Sequence, residues 1–160
     1  MKKFFFYCYK FCNLLIAEES GAVCRAAFCD NKGKMINNKT LPDFVYSETS
    51  LIKNAAKQLD EYFNKKRKDF NFPLVLHGTD FQVDVWKALQ QIPYGETRSY
   101  GEIAAAIGRP KASRAAGMAN NRNPIVIIVP CHRVIGGNGN LVGYAGGLDL
   151  KQKLLEIEKN

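Results

Sequence analysis

Three residues that could do chemistry stand together at Cys131-His132-Arg133. A thiol becomes a strong nucleophile when a base removes its proton and positive charge stabilises the thiolate. This spacing therefore predicts a nucleophilic cysteine. The alternative is an inert, buried structural cysteine, which is the usual role of an isolated thiol. The polar pair that follows Cys131 argues against purely apolar surroundings.

The element before the cysteine should position it. Ile125–Val129 is a β-branched run that predicts a strand buried on both faces. Pro130 cannot donate to a sheet ladder and should end this strand. We therefore expect the thiol just beyond the end of a rigid strand.

Upstream of that run the sequence predicts helices. One should begin at Thr79 or Asp80. A second should be capped by Ser99, with Glu102 completing an S-x-x-E capping box, and a third should run from Lys111 to about Asn120. Two short helices joined by a tight turn at Gly108 form a helix-turn-helix pattern.

The pattern of residues 1–76 predicts a small α/β domain, and it contains no candidate catalytic residue. Leu41–Thr49 shows no clear period. Apolar residues recur at helical spacing over Leu51–Phe63, with Ser50 as the expected N-cap. Short apolar runs separated by turn residues predict strands at Phe4–Lys10, Leu14–Ala17 and Ala22–Cys29.

Basic residues are concentrated in one segment. The formal net charge is +8, and residues 98–133 hold six basic side chains against the single acid Glu102. Such a segment suggests a polyanionic partner, although a merely basic protein would also show it. The small residues of the third helix would let it approach either a DNA groove or another helix, and the pattern leaves that choice open.

The chain has five cysteines, an odd number that cannot form a complete set of intramolecular disulfides. It shows no secretory signal pattern and no apolar run near the roughly 20 residues that span a membrane. A reducing, cytoplasmic location is expected. The absence of a nuclear-type basic cluster favours a prokaryotic source.

An ordered set of motifs resembles the O6-alkylguanine-DNA alkyltransferases, also called methylated-DNA–protein-cysteine methyltransferases. The resemblance extends over about half of the chain. The motifs that show it are Phe81-Gln82, Val85-Trp86, Ile92–Thr97, Ser99-Tyr100, Asn123-Pro124, Pro130–Val134, Gly143–Leu148, Leu154-Leu155 and Glu158. The resemblance implies an α/β N-terminal domain over residues 1–76. A mostly helical domain with a winged-helix-like helix-turn-helix would follow over residues 77–160.

The resemblance also implies a mechanism. Cys131 would attack the alkyl carbon of O6-alkylguanine in a single in-line displacement, irreversibly and once per molecule. His132 would take the thiol proton through a water, and Glu158 would orient His132. The thiol pKa should then lie below the roughly 8.5 of a free cysteine. The alternative for Glu158 is a solvated residue at the end of a C-terminal helix.

Further roles follow from the same resemblance. Tyr100 would donate to the guanine ring, and Arg114 would fill the gap left by the extruded nucleotide. Asn123 would brace the turn to the cysteine, and the Val134 carbonyl would accept from the exocyclic amine. Tyr144, Ala145 and Gly146 would form the lid, with Gly146 leaving room for benzyl as well as methyl groups. The remaining expected DNA contacts are Ser99, Lys111, Ala112, Ser113 and Arg122.

The implied partner is double-stranded DNA containing O6-alkylguanine, bound in the minor groove by a monomer without any cofactor. No metal site is expected, because the chain has two histidines, His77 and His132, and neither is near the N-terminal cysteines. An all-cysteine zinc site remains an alternative, with the ligands Cys8, Cys12, Cys24 and Cys29.

Three rival functions can be weighed on the residues. A non-catalytic binder of DNA lesions would lack an acceptor cysteine, whereas Cys131 is present. A redox-sensing helix-turn-helix regulator would leave Tyr144, Gly146 and Glu158 without a role. A cysteine hydrolase would need a separate His and Asn or Asp pair, and none stands out.

Overall fold

The computed structural model describes residues 1–159. Its N-terminal strands are β1 (Lys2–Cys8), β2 (Asn13–Glu19), β3 (Ala22–Phe28) and β4 (Phe44–Tyr46). They form a sheet of order β3-β2-β1-β4, in which β1 pairs antiparallel with β2 and parallel with β4. The three strands predicted from sequence are confirmed. The sequence did not predict β4, because three residues are too few to show a period.

The helix α1 (Ser50–Phe63) follows the sheet and buries the apolar residues that predicted it. Its cap is Thr49 rather than the expected Ser50. The reason is the backbone: Thr49 is extended, and its hydroxyl accepts from the Ile52 amide, so Ser50 is already helical.

The chain divides into two compact units. The first comprises Met1–Leu76 together with Pro124–Val126, and the second comprises His77–Asn123 and the chain from Ile127 onward. The first unit carries the sheet. The second is mainly helical and carries Cys131.

The predicted helices of the second unit are confirmed. Thr79 caps the first of them through a complete capping box with Gln82. Ser99 caps the second by accepting from the Glu102 amide, and Gly108 follows its end with φ +76°. The third helix begins at Ser113, two residues later than expected. Their bounds are α2 (Asp80–Gln90), α3 (Tyr100–Ala106), α4 (Ser113–Asn121) and α5 (Leu148–Ile157).

The predicted strand at Ile125–Val129 is wrong. These residues, all of which the structure describes, are buried but form only isolated bridges around a turn. Ile127 has φ +70°, a left-handed conformation that is unusual for a β-branched residue. The buried run therefore bends instead of extending, and the thiol does not follow a straight strand.

A tight turn carries the cysteine. Pro130 has φ −83° and ψ 63°, and the Cys131 amide donates to the Val129 carbonyl at 2.8 Å, as in an inverse γ-turn. Cys131–Arg133 then forms one 3-10 turn that leads into β6 (Val134–Ile135). The strand β6 pairs in parallel with β5 (Arg98–Ser99), which brings the start of α3 beside the cysteine turn.

None of the helices among residues 1–159 is both long enough and apolar enough to cross a membrane.

Candidate active site

Glu158 forms a buried ion pair with Arg133 and a buried hydrogen bond with His132, the two residues that follow the cysteine. The His132 Nε2 atom is 2.7 Å from one Glu158 carboxylate oxygen. Arg133 donates from Nε and Nη2 to both Glu158 oxygens, at 2.8 and 3.0 Å. Glu158 is 3% exposed, so its reading as a solvated helix end is wrong.

The ion pair with Arg133 keeps Glu158 ionised, and the hydrogen bond with Glu158 fixes the tautomer of His132. Burial alone would raise the pKa of Glu158, but the hydrogen bonds from His132 and Arg133 outweigh it and lower that pKa to about 2. An ionised carboxylate can only accept, so Nε2 of His132 carries a hydrogen. In the neutral ring Nδ1 is then the basic nitrogen, and any proton from Cys131 must go to Nδ1.

The thiol itself does not have the depressed pKa that the sequence predicts. Cys131 is 4% exposed, and burial raises its pKa to about 11. A hydrogen bond from Asn123 and the charge of Lys151 act in the opposite direction but do not outweigh burial. Burial likewise lowers the pKa of His132. Both groups are therefore neutral at rest, and activation means moving one proton between them.

Two asparagine side chains hold the backbone around the cysteine. Asn123 donates to the Val129 carbonyl at 2.7 Å, across the bend that replaces the expected strand. Asn120 is buried on α4, and its amide nitrogen lies 3.5 Å from the Cys131 carbonyl. The turn bearing the nucleophile is thus tied to the end of α4.

Tyr100 and Lys151 meet at one carbonyl, two residues before the expected lid. The Tyr100 hydroxyl donates to the Val142 carbonyl at 3.2 Å, and the Lys151 ammonium donates to the same oxygen at 2.9 Å. Lys151 is fully buried and also lies 3.4 Å from the Gly143 carbonyl. Burial raises the pKa of Tyr100, so its hydroxyl keeps the proton that a donor needs.

The expected DNA contacts lie on or beside α4. Arg114, Lys111 and Arg122 are exposed, whereas Ala112, Ser113 and Ser99 are half-buried. Ser99 is engaged as the cap of α3. In the lid, Ala145 is exposed while Tyr144 and Gly146 are half-buried, and Val134 is fully buried in β6.

Sequence reasoning missed Arg133 and Lys151 as parts of the site. The sequence indicates only a positive charge at Arg133. In the structure its guanidinium also donates to the Ile92 carbonyl at 2.7 Å, which holds it in place to bind Glu158. Lys151 had a detectable signal: it lies three residues before the buried Leu154 and seven before Glu158, on the apolar face of α5. A lysine on that face needs buried acceptors.

Residues 1–159 bring together no three His, Cys, Asp or Glu side chains that could hold an ion. Cys24 and Cys29 are instead buried in the apolar cluster of the first unit.

Acid should destabilise the fold through this site. Because the pKa of Glu158 is lowered on folding, its contribution is complete above its ordinary value near 4.3 and is lost as pH falls toward 2. The lowered pKa of His132 adds a further loss of stability, which begins as pH falls through about 6.5. We expect urea unfolding to lose about 3 kcal/mol between pH 7 and pH 2.5, with a smaller loss in Glu158→Gln. If the wild type and Glu158→Gln lost the same unfolding free energy in acid, the assignment of this pH dependence to Glu158 would be contradicted.

The site brings together a buried cysteine, the histidine that follows it and a carboxylate bonded to that histidine, in a unit that also exposes Arg114 on α4. Such a set of groups is typical of proteins that use a cysteine nucleophile. Comparisons with known proteins agree. Residues 5–76 match the model of the 6-O-methylguanine DNA methyltransferase, ribonuclease-like domain, and residues 80–160 match that of the 6-O-methylguanine DNA methyltransferase, DNA binding domain. The chain belongs to the 6-O-methylguanine DNA methyltransferase family.

Individual relatives cover nearly the whole chain. It is 51% identical over 145 residues to a methylated-DNA–protein-cysteine methyltransferase of Methanosarcina acetivorans, covering 91% of this chain and 90% of that one. The constitutive enzyme of that name from Bacillus subtilis is 49% identical over 147 residues, covering 91% and 88%. The crystal structure of Mycobacterium tuberculosis OGT in complex with DNA superposes with a TM-score of 0.88 at 43% identity, covering 98% and 92%.

Proposed function

We propose that the protein repairs O6-alkylguanine in DNA by moving the alkyl group to the sulfur of Cys131, once per molecule. The observation that carries this proposal is the buried Cys131 followed by a His132 whose Nε2 is held by Glu158, in a chain of this family. The carbon–sulfur bond forms as the carbon–O6 bond breaks. The bonding electrons leave with the guanine, and the thiol proton reaches the guanine by way of His132.

Activation proceeds through the neutral pair of thiol and imidazole. Proton transfer to Nδ1 creates an imidazolium that Glu158 stabilises and a thiolate that Asn123 and Lys151 stabilise. A water would bridge Cys131 and Nδ1. No net charge enters the buried site in this step, which keeps its desolvation cost low.

Because the thiol is buried, the damaged base must leave the DNA double helix to reach it. Cys131 is 4% exposed, so a base still stacked in duplex DNA cannot reach its sulfur. The α3–α4 pair acts as a helix-turn-helix that places the small residues of α4 in the minor groove. Arg114, exposed on α4, enters the stack and fills the vacated position.

The base pocket is formed by residues around the lid. Tyr100 turns from the Val142 carbonyl to donate to the guanine ring, where negative charge develops. The Val134 carbonyl accepts from the exocyclic amine. Tyr144, Ala145 and Gly146 cover the base, and the absence of a side chain at Gly146 admits benzyl groups. The protein acts as a monomer in the cytoplasm, without a cofactor.

The role of Arg114 gives the sharpest test of DNA binding. Arg114→Ala should slow repair of O6-methylguanine in duplex DNA by roughly ten- to a thousandfold, because unstacking costs a few kcal/mol. The reaction with the free base O6-benzylguanine needs no extrusion and should fall far less. Both rates follow from the intact mass of the protein over time.

Arg109→Ala is the matched control, since it removes the same charge from an exposed position just before α4. It should cost only a few-fold on duplex DNA, through weaker phosphate attraction. Equal losses of Arg114→Ala on duplex and free base would remove Arg114 from base extrusion.

A further inference from the structure

Met118 is an exposed methionine in the middle of α4. Its side chain is 56% exposed, although it belongs to a helix whose other central residues are small. Single exposed apolar residues are common on protein surfaces and carry no meaning alone. The position of Met118 on the helix is what distinguishes it.

Met118 lies on the outward face of α4 between two arginines. Ala116, Ala119 and Asn120 form the buried face, and the Trp86 indole donates to the Ala119 carbonyl at 2.9 Å, which fixes the rotation of the helix. Arg114, Met118 and Arg122 follow at intervals of four residues and are all exposed. Residues four apart lie above one another on a helix, so these three form one line.

The direction of helical side chains places Met118 next to Arg114. Long side chains on a helix lean toward its N-terminus and cover the preceding turn. The turn before Met118 is the one that carries Arg114. A Met118 side chain with this common orientation reaches along the outward face toward Arg114, the residue expected to enter the base stack.

We propose that Met118 is a second minor-groove contact, which packs against the deoxyribose and base edges beside the gap that Arg114 fills. This inference rests on the proposed function. The arginines on either side supply the positive charge that selects a polyanion: Arg114 fills the gap, and Arg122 binds a phosphate beside it. Methionine is flexible, polarizable and apolar, and apolar wedges of this kind keep minor-groove base steps unstacked. Met118 thereby slows the return of the extruded base.

The test compares two rates for each variant: repair of O6-methylguanine in duplex DNA and reaction with free O6-benzylguanine. Met118→Ala should lower the ratio of duplex to free-base rate by about tenfold, because the apolar atoms beyond Cβ are lost from the contact. Met118→Leu should restore the ratio to within about twofold. Ile36→Ala, which trims an equally exposed residue in the first unit, should leave both rates unchanged.

Met118→Lys separates an apolar contact from simple charge. If positive charge alone matters on this face, lysine should match or exceed the wild-type duplex rate at physiological salt. If Met118 packs as an apolar wedge, lysine should remain several-fold slower despite the added charge. A wild-type ratio in Met118→Ala, or full activity in Met118→Lys, overturns the inference. Failure of the wild type itself to repair duplex DNA would instead overturn the proposed function.

Discussion

Replacing Cys131 by serine is expected to abolish alkyl transfer, with a loss on the order of a thousandfold or more. A serine hydroxyl is far less acidic than a thiol, and His132 cannot deprotonate it usefully. Wild-type protein should gain the mass of one alkyl group and then stop, because the reaction converts the only proposed acceptor thiol into a stable thioether. The measurement is intact mass after exposure to O6-benzylguanine, followed by peptide mapping.

The other cysteines provide the matched controls. Burial raises the pKa of Cys12 to about 12 and those of Cys24 and Cys29 to about 11, much as it raises that of Cys131. A high pKa therefore does not single out the reactive thiol. The adjacent histidine does, so Cys24→Ser should react like the wild type. Alkylation that persists in Cys131→Ser, or more than one equivalent per chain, would refute the assignment.

Glu158→Gln is expected to lower the plateau rate of alkyl transfer by about ten- to a hundredfold. The neutral glutamine no longer stabilises the imidazolium that forms when His132 takes the thiol proton. For the same reason protonated His132 becomes a stronger acid, so the acid limb of the rate profile should move to lower pH. The measurement is the pH dependence of the reaction with O6-benzylguanine.

Two further variants keep this prediction decisive. Glu158→Gln leaves Arg133 without its buried anion, which can cost about 3–5 kcal/mol of stability. His132→Phe removes the base but keeps the pair of Arg133 and Glu158, so it reports on proton transfer even if Glu158→Gln folds poorly. Glu156→Gln, an exposed change on the same helix, should match the wild type. Identical pH profiles for wild type and Glu158→Gln would return Glu158 to a purely structural role.

Local features of the chain could be predicted from sequence because local interactions decide them. The caps at Thr79 and Ser99 depend on side chains that bond amides three residues away. The strands of the first sheet follow from alternating or continuous apolar runs between turns. Cys131 stands out as a candidate nucleophile because of its neighbours in sequence.

The bend before Cys131 could not be predicted. Ile125–Val129 has the composition of a strand, and all five residues are indeed buried. The composition of this run predicts that it is buried, but not whether it is straight. The left-handed Ile127 lies in a bend that the Asn123 hydrogen bond to Val129 spans, and such a conformation persists only where the surrounding structure holds it.

What the sequence determined by itself is therefore a candidate nucleophile, its candidate base and the helices around them. Only the tertiary structure decided their electrostatics. Burial raised the pKa of Cys131 against expectation, and the approach of Glu158 from a distant helix gave His132 its tautomer. The same folding brought Lys151 to the carbonyls of Val142 and Gly143, just before the expected lid. Desolvation and Coulomb energies depend on distances between residues far apart in the chain, which local sequence does not specify.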